Sequence, residues 1–204
     1  MCCLGAVTAV RSGLSVQSSL TGVILFVACI WIVFLLDRVL PLEHLGLVPR
    51  QLRGLVGIAA MPFLHGDLPH LISNTPPLIF LMLLLVGSRA ASTEVVVLLL
   101  FVSGILLWVF GREALHIGAS TLVFSLGSFL VVTGMMERRA LSLGISLLVV
   151  LLYGTSFLTG ILPWQPGVSW DGHLAGLIGG CLVAPVAMRR VQVKANRARN
   201  TDGR

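Results

Sequence analysis

The stretch HIGASTLVF, residues 116–124, opens a run from 117 to 136 that holds no charge and no histidine. A Gly-Ala-Ser-Thr turn at the mouth of a membrane-length segment has two readings. Small residues let membrane helices approach one another closely. A serine hydroxyl also becomes a nucleophile when a neighbouring base takes its proton. Residues far from this stretch decide between the two.

Of 204 residues, 56% are hydrophobic and 11% charged, whereas soluble domains carry about 25% charged residues. Uncharged, histidine-free runs fall at 12–36, 71–88, 95–111, 117–136, 140–170 and 174–188. A spanning helix needs about 17–25 apolar residues. The turn formers in PWQPG, residues 163–167, cut the longest run. The pattern predicts an all-α polytopic membrane bundle of six transmembrane helices, at 17–38, 70–88, 94–111, 117–136, 141–160 and 169–188. The membrane domain is 17–188, between a short N-terminus (1–16) and a basic tail (189–204). The first run is too long for a signal-peptide core and is read as a retained span.

Basic residues set the orientation. With the N-terminus cytoplasmic, the inner segments hold Arg11, Arg89, Arg138, Arg139, Arg189, Arg190, Lys194, Arg197, Arg199 and Arg204. The outer ones hold Arg38, Arg50, Arg53 and Arg112. Both termini are therefore expected in the cytoplasm, and the net charge of +6 is assigned to topology and an anionic lipid surface. The short tail carries no aromatic residue for base stacking, so no nucleic-acid partner is expected. Cys2, Cys3, Cys29 and Cys181 lack metal-binding spacing, and neither a metal nor a cofactor is expected.

Ionisable groups inside a membrane are costly and often functional. HGDLPHLISN, residues 65–74, places His70 and Asn74 four apart, on one face at the start of the second span. Ser120 follows Gly118 at the start of the fourth. In DGHLAGLIGG, His173 shares a helical face with Gly176 and Gly180 at the start of the sixth. Each has an ordinary explanation alone: a headgroup-level histidine, a packing serine, a histidine bonded to a carbonyl. Spans two, four and six run in the same direction, so all three sites fall at similar depth near the outer face. A nucleophile, a base and two donors at one depth suit acyl transfer.

These motifs resemble those of the rhomboid intramembrane serine proteases in their minimal six-span bacterial form, over roughly residues 53–188. The resemblance rests on H-x4-H-x3-N at 65–74, GAS opening the fourth span, and H-x2-G-x3-G at 173–180. It implies a Ser–His dyad, with Ser120 as nucleophile and His173 as general base. It further implies an oxyanion hole of the His70 and Asn74 side chains with the Ser120 N–H, and an aromatic ring, Phe124, packed on the histidine. The implied substrates are transmembrane-helix proteins cut near the outer face, and the implied setting is a bacterial cell membrane.

The chain departs from the family pattern at Thr121, where glycine usually follows the serine, and at Ser125 and Ser128, where glycines are common. A β-branched Thr121 is expected to bear on the contact between spans four and six. A Trp-Arg pair common in the first outer loop of some members is also missing, so loop 39–69 is expected to fold in its own way. The chief alternative is a rhomboid-like pseudoprotease that binds membrane helices without cutting them. A metalloprotease built on His65, Asp67 and His70 lacks H-E-x-x-H. A transporter lacks paired intramembrane charges and repeated halves.

Overall fold

The computed structural model describes residues 2–88, 92–165 and 167–202, with side chains over 17–88, 92–165 and 167–189. Arg89 lies outside the described residues, and the side chains of Cys2, Cys3, Arg11 and the basic residues after Arg189 lie outside the described side chains. Among the described residues there are six long helices: α1 (Cys2–Asp37), α2 (Leu68–Ser88), α3 (Ser92–Phe110), α4 (Ser120–Glu137), α5 (Ala140–Gly160) and α6 (Trp170–Asp202). Among the described residues there is no sheet, only an isolated antiparallel bridge between Leu47 and His116.

Each long helix contains an apolar span of 18 to 21 residues, roughly 27–32 Å at 1.5 Å per residue. That matches a bilayer core of about 30 Å. The spans agree with the sequence expectation to within three residues. The largest offset is at α4, expected from 117 and beginning at Ser120. Gly118 sits at φ 110° and Ala119 caps the helix, so the backbone turns there before it coils. α2 runs without a break through Pro76 and Pro77.

α4 is the central helix. It touches α2, α3, α5 and α6, and Thr121 to Leu130 are all buried. α1 and α5 instead turn leucines and isoleucines outward, as at Ile24 and Leu151. In a bilayer those side chains face acyl tails, where they cost nothing. A buried hydroxyl in α4 would be costly unless bonded, and those of Ser125, Ser128 and Thr133 each find a carbonyl. Ser125 donates to Leu122 at 2.9 Å, Ser128 to Ser125 at 3.2 Å and Thr133 to Phe129 at 2.6 Å.

Close approach to α4 depends on missing side chains. A Cβ at Gly180 would collide with Ser128 Oγ and the Ser125 carbonyl, and one at Gly176 with the Thr121 carbonyl and Phe124. On the α5 side, Gly127 lies against the Phe157 ring and Gly134 against Ser146 Oγ. Ser125 and Ser128 therefore fit because their partner positions on α6 are glycines.

The connection between α1 and α2 is a packed layer of short turns. It comprises 3-10 turns at Leu42–Leu45, Leu52–Leu55 and Met61–Phe63 and one α-turn at Gly57–Ala60. Arg50 fixes it to the end of α3. Its N–H donates to the Trp108 carbonyl at 3.0 Å and its guanidinium to the Gly111 carbonyl at 2.6 Å. Trp108 returns an indole N–H to the Gln51 carbonyl at 3.0 Å. Arg50 holds φ 58°, a left-handed conformation uncommon outside glycine, and these bonds support it.

The same layer reaches the start of α4. Gly118 N–H donates to the Met61 carbonyl at 2.9 Å, and Ala119 N–H reaches His65 Nε2 at 3.4 Å. His65 is fully buried. Burial, reinforced by the neighbouring His70, pushes its pKa down to about 4, against smaller opposing effects of the Phe63 carbonyl and Asp67. The folded protein thus holds His65 neutral where an unfolded chain, with a pKa near 6.5, takes up a proton. The associated stability is complete above about pH 6.5 and is lost as pH falls toward 4, by about 3 kcal/mol if this group acts alone.

Two outcomes follow for the purified protein in detergent. Thermal melting of wild type should weaken between pH 6.5 and pH 4, and His65→Gln should flatten that slope; an equal slope in the variant contradicts the assignment. Gly180→Val should lower stability by about 1–3 kcal/mol through overpacking of α4 against α6; an unchanged melting curve contradicts that packing.

Candidate active site

The starts of α2, α4 and α6 gather at one end of the bundle. Asp67 caps α2, its Oδ1 accepting the His70 N–H at 2.7 Å, so Asp67 serves the helix terminus. The His70 ring then lies over Gly118. A Cβ at Gly118 would stand 2.6 Å from His70 Nε2, so only glycine leaves room for the imidazole there. His65 backs His70 edge-on, with ring centroids 5.0 Å apart. Asn74, one turn deeper and buried, donates from Nδ2 to the His70 carbonyl at 2.9 Å. Among the described residues no hydrogen bond joins Asn74 to α4; its second amide hydrogen is free of that bond.

Ser120 is the first residue of α4 and is partly exposed. The first N–H groups of a helix have no intrahelical acceptor, so the Ser120 N–H is available beside its own hydroxyl. Phe124 follows one turn later on the same face. The His173 ring stacks flat on Phe124, with centroids 4.1 Å apart and planes 10° apart. α6 therefore presents the His173 imidazole to the stripe of α4 that starts with Ser120. The two side chains share no hydrogen bond in this structure.

His173 Nδ1 lies 2.8 Å from the Gly160 carbonyl at the end of α5. A carbonyl only accepts, so the proton sits on Nδ1. In the neutral ring Nε2 then keeps its lone pair. A Cβ at Gly160 would crowd both Phe124 Cζ and His173 Nδ1. Sequence reading passes over Gly160 because a carbonyl belongs to every residue. The only trace is the missing side chain at the end of the fifth span.

Gly176 and Gly180 occupy the face of α6 that meets α4, as their spacing from His173 implied. Thr121 is buried, and a Cβ at Gly172 would come 3.0 Å from its Oγ1. The volume added by threonine at 121 is thus matched by the glycine at 172. Asp171 points away from His173 and accepts from the Arg112 N–H at 2.8 Å. Among the described residues no group of three or more His, Cys, Asp or Glu side chains gathers as a metal site.

The arrangement supplies a hydroxyl, a ring nitrogen with a lone pair, and N–H donors from a helix start and an imidazole. These groups sit at one end of a six-helix membrane bundle. The family model for the Rhomboid domain matches residues 52–190, more than half of the chain. An uncharacterized protein of Mycobacterium tuberculosis is 35% identical over 176 residues, covering 80% of this chain and 73% of its own length. One from Mycobacterium bovis gives the same figures. An uncharacterized protein of Mycobacterium leprae is 32% identical over 174 residues, covering 79% of this chain and 68% of its own. The chain belongs to the rhomboid family of integral membrane proteins.

Proposed function

We propose that this protein is an intramembrane serine endopeptidase that cuts transmembrane substrates by a Ser120–His173 dyad. The observation that carries this reading is the seating of His173: stacked on Phe124, with Nδ1 on the Gly160 carbonyl. A backbone carbonyl fixes the tautomer, a task that in other serine hydrolases falls to a carboxylate.

In this mechanism Ser120 Oγ attacks the scissile carbonyl carbon and its proton passes to His173 Nε2. The carbonyl oxygen becomes an oxyanion, and the Ser120 N–H with the His70 and Asn74 side chains donates to it. Removing one such donor typically costs about 2.7–4 kcal/mol of transition-state stabilisation. Collapse of the intermediate breaks the C–N bond, and His173 returns its proton to the leaving amine. Water, activated by the same imidazole, then releases the acyl group. Asn74 joins the hole with the amide hydrogen not bonded to His70.

The substrate is a membrane helix that unwinds near the end of the bundle holding Ser120. Its peptide bonds are otherwise shielded by their own hydrogen bonds. The ten-to-four distribution of basic residues supports a reading in which that end faces outward and both termini are cytoplasmic, in a bacterial cell membrane. A second reading, a scaffold that binds helices without cutting, draws on Thr121 and on the missing Ser120–His173 hydrogen bond. The pairing of Thr121 with Gly172 weighs against it. Catalytic hydrogen bonds are also often formed only once substrate is present.

A reporter-cleavage assay with fluorophosphonate labelling decides between the readings. Wild type should cut and take the label. Ser120→Ala should lose both, and His173→Ala should lose at least about a thousandfold in rate. Cleavage by both variants at the wild-type rate overturns the site. Folded wild type that neither cuts nor labels, beside an active Thr121→Gly, supports the scaffold.

A further inference from the structure

A polar cluster lies outside the dyad, at the same end of the bundle, and joins two segments distant in sequence. Both oxygens of the Asp171 carboxylate are engaged by Arg112. Oδ2 accepts the Arg112 backbone N–H at 2.8 Å and Oδ1 accepts Nη2 at 3.1 Å. The guanidinium also reaches the Val168 carbonyl at 3.4 Å and lies over the Trp170 ring, 5.2 Å from its centroid. Beside this pair, His116 Nδ1 is 2.7 Å from Ser169 Oγ, and Nε2 is 3.2 Å from the Arg112 carbonyl.

Burial lowers the His116 pKa, despite smaller opposing effects of the Arg112 carbonyl and Asp171, so the ring is neutral at pH 7. Its Nε2–H then donates to Arg112 and its Nδ1 accepts from the Ser169 hydroxyl. The His116 backbone is held separately, exchanging two hydrogen bonds with Leu47 at 3.0 and 2.8 Å. One half of the cluster is therefore anchored to the packed first loop.

The other half has little else to hold it. Among the described residues, the backbone bonds of 161–169 outside helices are local, Leu162 to Thr159 and Val168 to Gln165. Every hydrogen bond from 161–171 to a distant segment ends on Arg112 or His116. The geometry of the chain makes this consequential. Arg112 and His116 lie eight and four residues before Ser120, and Ser169 and Asp171 lie four and two before His173. The α4–α6 glycine contacts, Gly172 against Thr121 among them, set the separation of the two helices, and this cluster adds the polar ties at the start of α6.

We infer that Arg112, His116, Ser169 and Asp171 form a positioning clamp that sets the start of α6, and with it His173, against the start of α4. The inference rests on the dyad reading above. Asp171 shares no hydrogen bond with His173 and is bonded instead to Arg112, and none of the four touches the reacting atoms. A half-exposed ion pair contributes little net stability. The carboxylate here is 8% exposed and also accepts a backbone N–H, so its loss removes the partner of that N–H as well as of the guanidinium.

The test uses the full chain in detergent, with kcat and KM measured on a reporter substrate for wild type, Ser120→Ala, Asp171→Ala, Asp171→Asn, Arg112→Ala, Arg112→Lys and Arg112→Ala/Asp171→Ala. The clamp predicts that Asp171→Ala lowers kcat by ten- to a hundredfold with KM within threefold. Asp171→Asn and Arg112→Ala should fall between it and wild type, and Arg112→Lys should recover most of the rate. The double variant should be no slower than Asp171→Ala, because coupled partners are not additive. Rates are normalised to the folded fraction from gel filtration and melting. Normalised kcat at the wild-type level in Asp171→Ala, with Ser120→Ala dead, overturns the clamp and leaves the dyad standing. Losses that multiply in the double variant overturn it as well. Cleavage by Ser120→Ala overturns both.

Discussion

Everything at the functional end of this protein depends on how one imidazole is seated. His173 has a phenylalanine ring beneath it and a carbonyl at Nδ1. Each contact comes from a different helix, Phe124 from α4 and Gly160 from α5. The stack sets the plane of the ring and the carbonyl sets its rotation and tautomer. Neither carries a formal charge. A buried carboxylate in that role would need partners of its own to offset desolvation, whereas a helix C-terminus supplies an unpaired carbonyl as a matter of course.

That seating requires α4 and α6 to approach more closely than ordinary side chains permit. In lipid there is no hydrophobic drive between helices, so contact must come from packing of small residues and from bonded polar groups. The protein uses both. Glycines on α6 face a serine and bare backbone on α4, and the buried hydroxyls of Ser125, Ser128 and Thr133 are satisfied within their own helix. Thr121 is part of the same complementarity, since its bulk is met by Gly172. Two of the departures from the family pattern, Thr121 and Ser128, are thus each met by a glycine across one interface.

Much of the fold was legible because membrane length and charge leave few choices. Six runs without charges gave six helices, and the gathering of His70, Ser120 and His173 at one end of the bundle follows from three spans that run in the same direction. The offset at α4 arose because Gly118 and Ala119 are apolar by composition but serve as a turn. The positions of His70 and Phe124 were also readable, being tied to motif residues at fixed spacing. Gly160, Gly172 and the Arg112–Asp171 contacts were not. A carbonyl carries no sequence signal, and Arg112 and Asp171, 59 residues apart, meet only once the helices are packed. The first loop was likewise opaque. Its hold on α3 comes from Arg50 and Trp108, whose pairing no local pattern announces.

The central claim is that Ser120 and His173 face one reaction site, with His70 on its far side. The most direct measurement is an experimental structure of the protein after reaction with a fluorophosphonate. The account predicts phosphorus on Ser120 Oγ, the phosphoryl oxygen within hydrogen-bonding distance of the Ser120 N–H and His70, and His173 still stacked on Phe124 beside the adduct. An adduct on another residue would contradict it. So would a phosphoryl oxygen turned away from His70, with packed side chains between Ser120 and His173.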